Sequence, residues 1–189
     1  TDTFINIANQ LSQGMNGIDK AGVIEALGNV NPDRYTDAFI STVNQLSRRM
    51  DNCDKVSVIW DLGRVNPDHY TVFAATAIQL SQGMDADHKL LVIEDLSKVN
   101  SDRYTNIFIN TANQLSQGMS VNYKIRVIEA LGSVNPDHYI AFATTANQLS
   151  QGMDDAHKAW VIEDLGKVNP DCYTDEFINM VNQLSYGMD

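Results

Sequence analysis

The chain has 189 residues, 43% apolar, 8% aromatic and 20% charged, with 24 Asp and Glu against 13 Lys and Arg for a formal charge of −11. That apolar content suffices for a sizeable core and excludes intrinsic disorder, while two cysteines, Cys53 and Cys172, make no disulfide framework. No apolar run approaches the ~20 residues that span a bilayer and no secretory signal is visible, so no membrane association is expected; the acidic balance also opposes phosphate backbones.

The first predicted element is a helix running from the N-terminus through Phe4 and Asn9-Gln10-Leu11-Ser12 to Gly14, a residue suited to the left-handed conformation past a last turn. A second helix of about 10 to 12 residues follows a cap at Asn16, directs Val23, Ile24 and Leu27 to the core, and stops at Gly28. The third begins at Val30-Asn31-Pro32-Asp33, where Asn31 can cap, Pro32 suits the first turn and Asp33 faces the positive end of the dipole. Tyr35, Phe39, Val43 and Leu46 then lay an apolar stripe on a helix of about 15 residues.

From there the chain repeats itself. Asn-Gln-Leu-Ser returns at Asn44, Asn113, Asn147 and Asn182, with Ile78 opening the remaining copy, and Tyr35, Tyr70, Tyr104, Tyr139 and Tyr173 keep alternating steps of 35 and 34 residues. The one-residue difference lies between Tyr and Phe: Tyr35 and Phe39 are four apart, as are Tyr104 and Phe108 and Tyr173 and Phe177, whereas Tyr70 and Phe73, like Tyr139 and Phe142, are three apart. Gly83, Gly118, Gly152 and Gly187 end further first helices, Arg49 being the exception. Asp51, Asp85, Ser120 and Asp154 open further second helices, and Gly63, Gly132 and Gly166 end three of them, with Ser97 in the odd copy.

A helix pair of this size cannot bury its stripe alone, so neighbours must stack. The expected fold is all-α: an α-solenoid, a right-handed superhelix of about five and a half helix-turn-helix units and eleven helices, forming one array over 1–189. The units fall at roughly 1–31, 32–66, 67–100, 101–135, 136–169 and 170–189. Because Thr1-Asp2-Thr3-Phe4-Ile5 matches Thr36-Asp37-Ala38-Phe39-Ile40, the array reads as a segment of a longer one. In length the unit resembles tetratricopeptide and pentatricopeptide repeats, a resemblance of architecture only, since the tetratricopeptide Trp-Leu-Gly-Tyr pattern is absent.

Catalysis has no local signature such as Gly-x-Ser-x-Gly or His-Glu-x-x-His, so no enzyme, cofactor or metal is expected. His69, His88, His138 and His157 form two pairs spaced as duplicated surface residues, not as converging ligands. Met15, Met50, Met84, Met119, Met153 and Met188 follow the helix stops and are expected to close the hairpin ends. Gln10, Gln45, Gln79, Gln114, Gln148 and Gln183, with the Ser two residues on, are expected to form a hydrogen-bond ladder at the helix ends.

Lys20, Lys55, Lys89, Lys124 and Lys158 oppose the dipole at second-helix starts, a cost of roughly 0.3–1 kcal/mol each. The expected offset is pairing with Asp33, Asp68, Asp102, Asp137 and Asp171 or with first-helix carbonyls; the alternative is a polar ladder for an acidic ligand. The residues just before each Lys vary while their flanks do not: Gly17-Ile18-Asp19, Asn52-Cys53-Asp54, Ala86-Asp87-His88, Val121-Asn122-Tyr123 and Asp155-Ala156-His157. A variable pair in an inter-helix turn resembles the transcription-activator-like DNA-binding repeats, which implies base reading, although their Gly-Gly-Lys-Gln context is missing here.

Trp60 occupies a slot that is Glu in four other copies, and Trp160 one held by Gly22, Ser57, Leu91 and Arg126. Trp is enriched at interface hot spots. The candidate binding residues are therefore Asp19, Asp54, Trp60, His88, Tyr123, His157 and Trp160. The expected function is a non-catalytic scaffold for a protein or peptide partner. A modular nucleic-acid-binding array is the alternative, though nucleic acid fits the charge poorly, and a spacer or self-associating array comes next. The expected setting is cytoplasmic or, effector-like, secreted.

Overall fold

A computed structural model of the chain describes residues 2–185, so the expected helix stop Gly187 and Met188 lie outside the described residues. Among the described residues the protein is all-α, with no strand. Its helices are α1 (Asp2–Leu11), α2 (Gly17–Gly28), α3 (Asp37–Leu46), α4 (Asn52–Leu62), α5 (Tyr70–Leu80), α6 (Ala86–Lys98), α7 (Asn106–Leu115), α8 (Val121–Ser133), α9 (Tyr139–Leu149), α10 (Asp155–Leu165) and α11 (Asp175–Ser185).

The chain divides into two compact units, Thr1–Tyr104 and Thr105–Asp189. In the first, α1, α3 and α5 pack in one row and α2, α4 and α6 in another, and each odd helix also packs on the helix that follows it. In the second, α7, α9 and α11 form one row, α8 packs on α10, and α7 and α9 join the rows through α8 and α10.

The rows explain why a second helix carries adjacent apolar residues. α4 lies between α2 and α6, and both Val58 and Ile59 are fully buried. α2 has a second-helix neighbour on one side only; there Val23 is fully buried whereas Ile24 is 51% exposed, an exception to the expectation that both face the core. In α10, packed on α8, Ile162 is buried and Val161 half-exposed. So in α2 and α10 one residue of the Val–Ile pair stays uncovered, whereas in α4, α6 and α8 both are fully buried.

The expected first helix of about 15 residues is corrected, because Asn-Pro-Asp opens a separate 3-10 turn. Asn31 caps that turn, its Oδ1 accepting from the Asp33 N–H, and Pro32–Arg34 form it. The chain then leaves helical geometry at Tyr35 (φ −75°, ψ 74°), and α3 starts afresh behind Thr36, whose Oγ1 accepts from the Phe39 N–H at 3.2 Å. Thr105 and Thr174 cap α7 and α11 in the same way. In the shorter copies no residue is spare, and the turns at Pro67–His69 and Pro136–His138 run straight into α5 and α9. The 35- and 34-residue steps are thus two ways of entering the same helix.

The entry mode also decides where the Tyr hydroxyl goes. Tyr35 donates to the carbonyls of Leu27 (2.6 Å) and Val30 (3.1 Å), tying the turn to the end of α2; Tyr104 does the same with Leu96 and Val99, and Tyr173 with Leu165 and Val168. Tyr70 and Tyr139 instead lie on their helices, fully buried. Each Tyr ring still meets the Phe of the preceding copy: Phe4–Tyr35, Phe39–Tyr70 and Phe73–Tyr104 in the first unit, Phe108–Tyr139 and Phe142–Tyr173 in the second, with centroids 5.5–5.9 Å apart. Tilted and edge-on contacts of this kind contribute about 0.5–1.5 kcal/mol each beyond area burial.

Gly14, Gly83, Gly118 and Gly152 hold φ near +80°, as expected of helix stops. Arg49 keeps the same geometry at φ +70°, at a cost of roughly 1 kcal/mol for a side chain that is not glycine. The glycines that end second helices do a different job from the one expected. Gly63 and Gly166 have ordinary helical φ near −60°, and a Cβ on Gly63 would lie 2.5 Å from the Val30 side chain. Gly63 is required for close approach of neighbouring copies.

Candidate functional site

The variable residues sit where the second helices begin, and the side chains of Asp54, His88 and His157 help to build that helix start. Asp51 and Asp54 form a capping box: the Asp54 N–H donates to Asp51 Oδ1 at 2.8 Å and the Asp51 N–H to Asp54 Oδ2 at 3.4 Å. His88 donates from its backbone to Asp85 Oδ1 at 3.0 Å and its Nδ1 lies 2.6 Å from the same oxygen; His157 repeats this on Asp154 at 2.9 and 2.7 Å. The backbone bonds first, then the imidazoles, hold both aspartates below the usual carboxylate range. Asp19 reaches the neighbouring copy, accepting from Asn52 Nδ2 at 2.7 Å. Tyr123 is half-buried. These residues recur at the repeat step and do not converge on one centre. Ile18 (85% exposed), Cys53, Asp87, Asn122 and His157 face solvent.

The lysines do not pair as expected. Among the described residues Lys20, Lys55, Lys89, Lys124 and Lys158 make no ion pair, and Asp33, Asp68, Asp102, Asp137 and Asp171 stay exposed at the 3-10 turns. Lys55, Lys89 and Lys124 are half-buried, and desolvation lowers their ammonium pKa. Among the described residues their charges stay without a carboxylate.

The glutamine ladder is also corrected. All six side chains are exposed, and among them Gln10 alone makes a side-chain hydrogen bond, to Asn6 at 3.2 Å. The serine two residues on satisfies the helix end instead: Ser47, Ser81, Ser116 and Ser150, all buried, donate to the carbonyl four residues back at 2.6–2.7 Å. A hydroxyl reaches that carbonyl within its own turn, whereas the longer amide extends past it. Met15 is buried and Met50, Met84 and Met119 half-buried beside these turns, while Met153 is 40% exposed.

Trp60 is 41% exposed and walls an open pocket of about 450 Å³ with Gly22, Glu25, Asp61, Arg64 and Glu94. Asp61, missed in the sequence, is 5% exposed, and its ion-pair partner among the described residues is Arg64 at 4.0 Å. Burial, then the charge of Glu94, pushes its carboxyl up to about 6. The slot is Ala26 and Ala130 in two copies but Asp95 and Asp164 in two others, so no sequence signal set Asp61 apart. Trp160, 53% exposed, meets the His157 ring edge-on at 5.1 Å and borders a 340 Å³ cleft with Val161, Phe177 and Val181.

Arg34 was also missed. It donates from Nη1 to the carbonyls of Gly63 and Val65, closing the end of α4 from the preceding copy. Cys53 and Cys172 are free and exposed. Among the described residues, no group of three or more His, Cys, Asp or Glu could hold a metal ion, and no helix is long and apolar enough to cross a membrane. Comparison of the chain with protein-family models, with curated proteins and with solved structures finds no match.

Proposed function

We propose that the chain is a non-catalytic helical-repeat scaffold that holds a protein or peptide, its copies continuing as one right-handed α-solenoid. One observation carries this reading. The apolar residues that recur between copies, such as Phe39, Phe73, Phe108, Leu46 and Leu80, are fully buried, and about half of those that vary at the second-helix starts, Ile18, Cys53, Asp87, Asn122 and His157 among them, are exposed. A constant frame with a changing outer surface suits modular recognition. The half-exposed indoles of Trp60 and Trp160 add the side-chain type that dominates interface energetics.

Capture of partners on the immobilised chain at about 0.15 M salt, with and without nuclease, tests the reading. A protein partner should survive nuclease and be lost when Ile18, Trp60, Tyr123 and Trp160 are all replaced by Ser. Recovery that disappears with nuclease would transfer the array to nucleic acid, and recovery unchanged by the four substitutions would remove the variable surface from the account.

A further inference from the structure

Three positions that are nearly constant between copies change together at one place in the first unit. Asn9, Asn44, Asn113, Asn147 and Asn182 share a slot that holds Ile78 in the remaining copy; Gln13, Gln82, Gln117 and Gln151 correspond to Arg48, and the glycine stops correspond to Arg49. Arg48 and Arg49 end the hairpin turn after α3, whereas Ile78 lies near the end of α5. The fold brings them onto one surface. Two open pockets of about 430 and 280 Å³ share Arg48, Arg49, Ile78 and Lys89, with Gln45 bordering the first and Gln82 the second.

The charge of this groove is the reverse of the chain's. It carries Arg48, Arg49 and Lys89 in a protein of formal charge −11, and Arg48-Arg49 is the chain's only adjacent Lys/Arg pair. Several other cations have partners: Lys98 pairs with Glu94 and Asp95, Lys167 with Glu163 and Asp164, Arg126 with Glu163, and Arg34 donates to carbonyls; Lys20, Lys55, Lys124 and Lys158 lack a carboxylate as Lys89 does, but none of them lies beside a pair of arginines. Arg48, Arg49 and Lys89 have no carboxylate among the described residues. The one acid in the lining, Asp85, is already engaged by His88. Arg49 also holds the left-handed conformation that the glycines adopt elsewhere.

We infer that this groove is a binding site for an acidic peptide segment, whose carboxylates meet Arg48, Arg49 and Lys89 while an apolar side chain rests on Ile78. Guanidinium forks bind carboxylates with two parallel hydrogen bonds, and an ammonium held partly out of water interacts more strongly with an anion than an exposed one. Gln45 and Gln82 offer exposed amides to a peptide backbone. A long nucleic-acid strand fits less well, because its phosphates would extend from three cations onto an acidic surface. The assignment rests on the scaffold reading only in taking the ligand to be a peptide.

A fluorescently labelled synthetic peptide of Glu and Asp with a central Leu, titrated with the whole chain and followed by anisotropy, tests it. Saturable binding is expected, weakening with salt and absent for the Gln/Asn counterpart. The double variant R48Q/R49G restores the Gln-Gly that four other copies carry and so keeps the turn; it should bind at least about tenfold more weakly, and K89Q should weaken binding as well. Absence of saturable binding, equal affinity in R48Q/R49G, or displacement of the peptide by a single-stranded oligonucleotide acting through the same arginines would overturn the proposal. Arginine-dependent peptide binding stands even if partner capture recovers nothing, so the groove and the scaffold reading fail separately.

Discussion

Asp61 makes the fold sensitive to pH in the acidic range. Its carboxyl is buried beside Trp60, near Glu94 and Asp95, with Arg64 and Lys98 as the opposing charges, and its folded pKa stands at about 6 against 3.8 for an unperturbed group. The folded chain therefore holds this proton more tightly than the unfolded chain. Stability contributed at this site is greatest below about pH 4, falls as pH rises through about 6, and is flat beyond, with a total change of at most about 3 kcal/mol. Alanine already occupies the slot at Ala26 and Ala130, both buried, so Asp61→Ala should pack without strain. Urea unfolding at pH 7 should find the variant more stable by about 1–2 kcal/mol, the gap closing at pH 4. A variant less stable than the parent at pH 7 would mean that Asp61 gains more from Arg64 than it loses to burial.

At the scale of the element, the two ways of entering a first helix predict opposite effects for one chemical change. In the longer copies the Tyr hydroxyl is a structural bond: Tyr35→Phe frees the carbonyls of Leu27 and Val30 and should destabilise the chain by about 1 kcal/mol, as Tyr104→Phe should through Leu96 and Val99. In the shorter copies it is a buried polar atom; the Tyr70 hydroxyl has no hydrogen-bond partner among the described residues, and burial pushes its pKa to about 12. Tyr70→Phe should leave stability unchanged or raise it by up to about 1 kcal/mol, and thermal unfolding of the three variants compares them directly. Equal losses in all three would remove the distinction. The sequence contained the difference as a three- or four-residue Tyr-to-Phe spacing, and it placed the caps Asn16, Asp51, Asp85 and Asp154 where the helices begin. It misplaced the first-helix start because Asn-Pro-Asp carries the same cap signals whether a 3-10 turn or an α-helix follows. The turn forms in every copy, and the Tyr hydroxyl reaching back eight residues accompanies only the copies in which the helix restarts after it, a contact no local pattern records. The candidate site was legible only in part for a related reason. Variability marked the second-helix starts and the glycine slot marked Arg49, but a buried charge at Asp61 depends on neighbours outside the window in which variability is read.

For the molecule as a whole, the formal charge of −11 follows largely from how it is assembled, since an aspartate recurs at each 3-10 turn and Asp51, Asp85 and Asp154 cap three of the second helices. That acid is spread along the repeat and is not gathered into a site, so it discriminates partners poorly; the local reversal at Arg48, Arg49 and Lys89 carries more information. Burial follows the same repetitive logic. Val23 and Ile24 differ by 0% against 51% exposure in α2, which has a second-helix neighbour on one side only, so the free energy of a copy depends on the copies beside it. If that dependence runs through all the copies, as a solenoid requires, successive copies are offset by one helix packing distance of about 8–10 Å, and five and a half of them extend over about 50 Å. A globule of the same length has a radius of gyration of about 16 Å, which for a sphere limits the longest internal distance to about 41 Å. Small-angle X-ray scattering of the chain in dilute solution should give a skewed distance distribution reaching at least about 55 Å, the stack length together with its width. A symmetric distribution ending near the spherical limit would show the copies folded back on themselves, and the extended array would have to be given up while each helix pair remained as described.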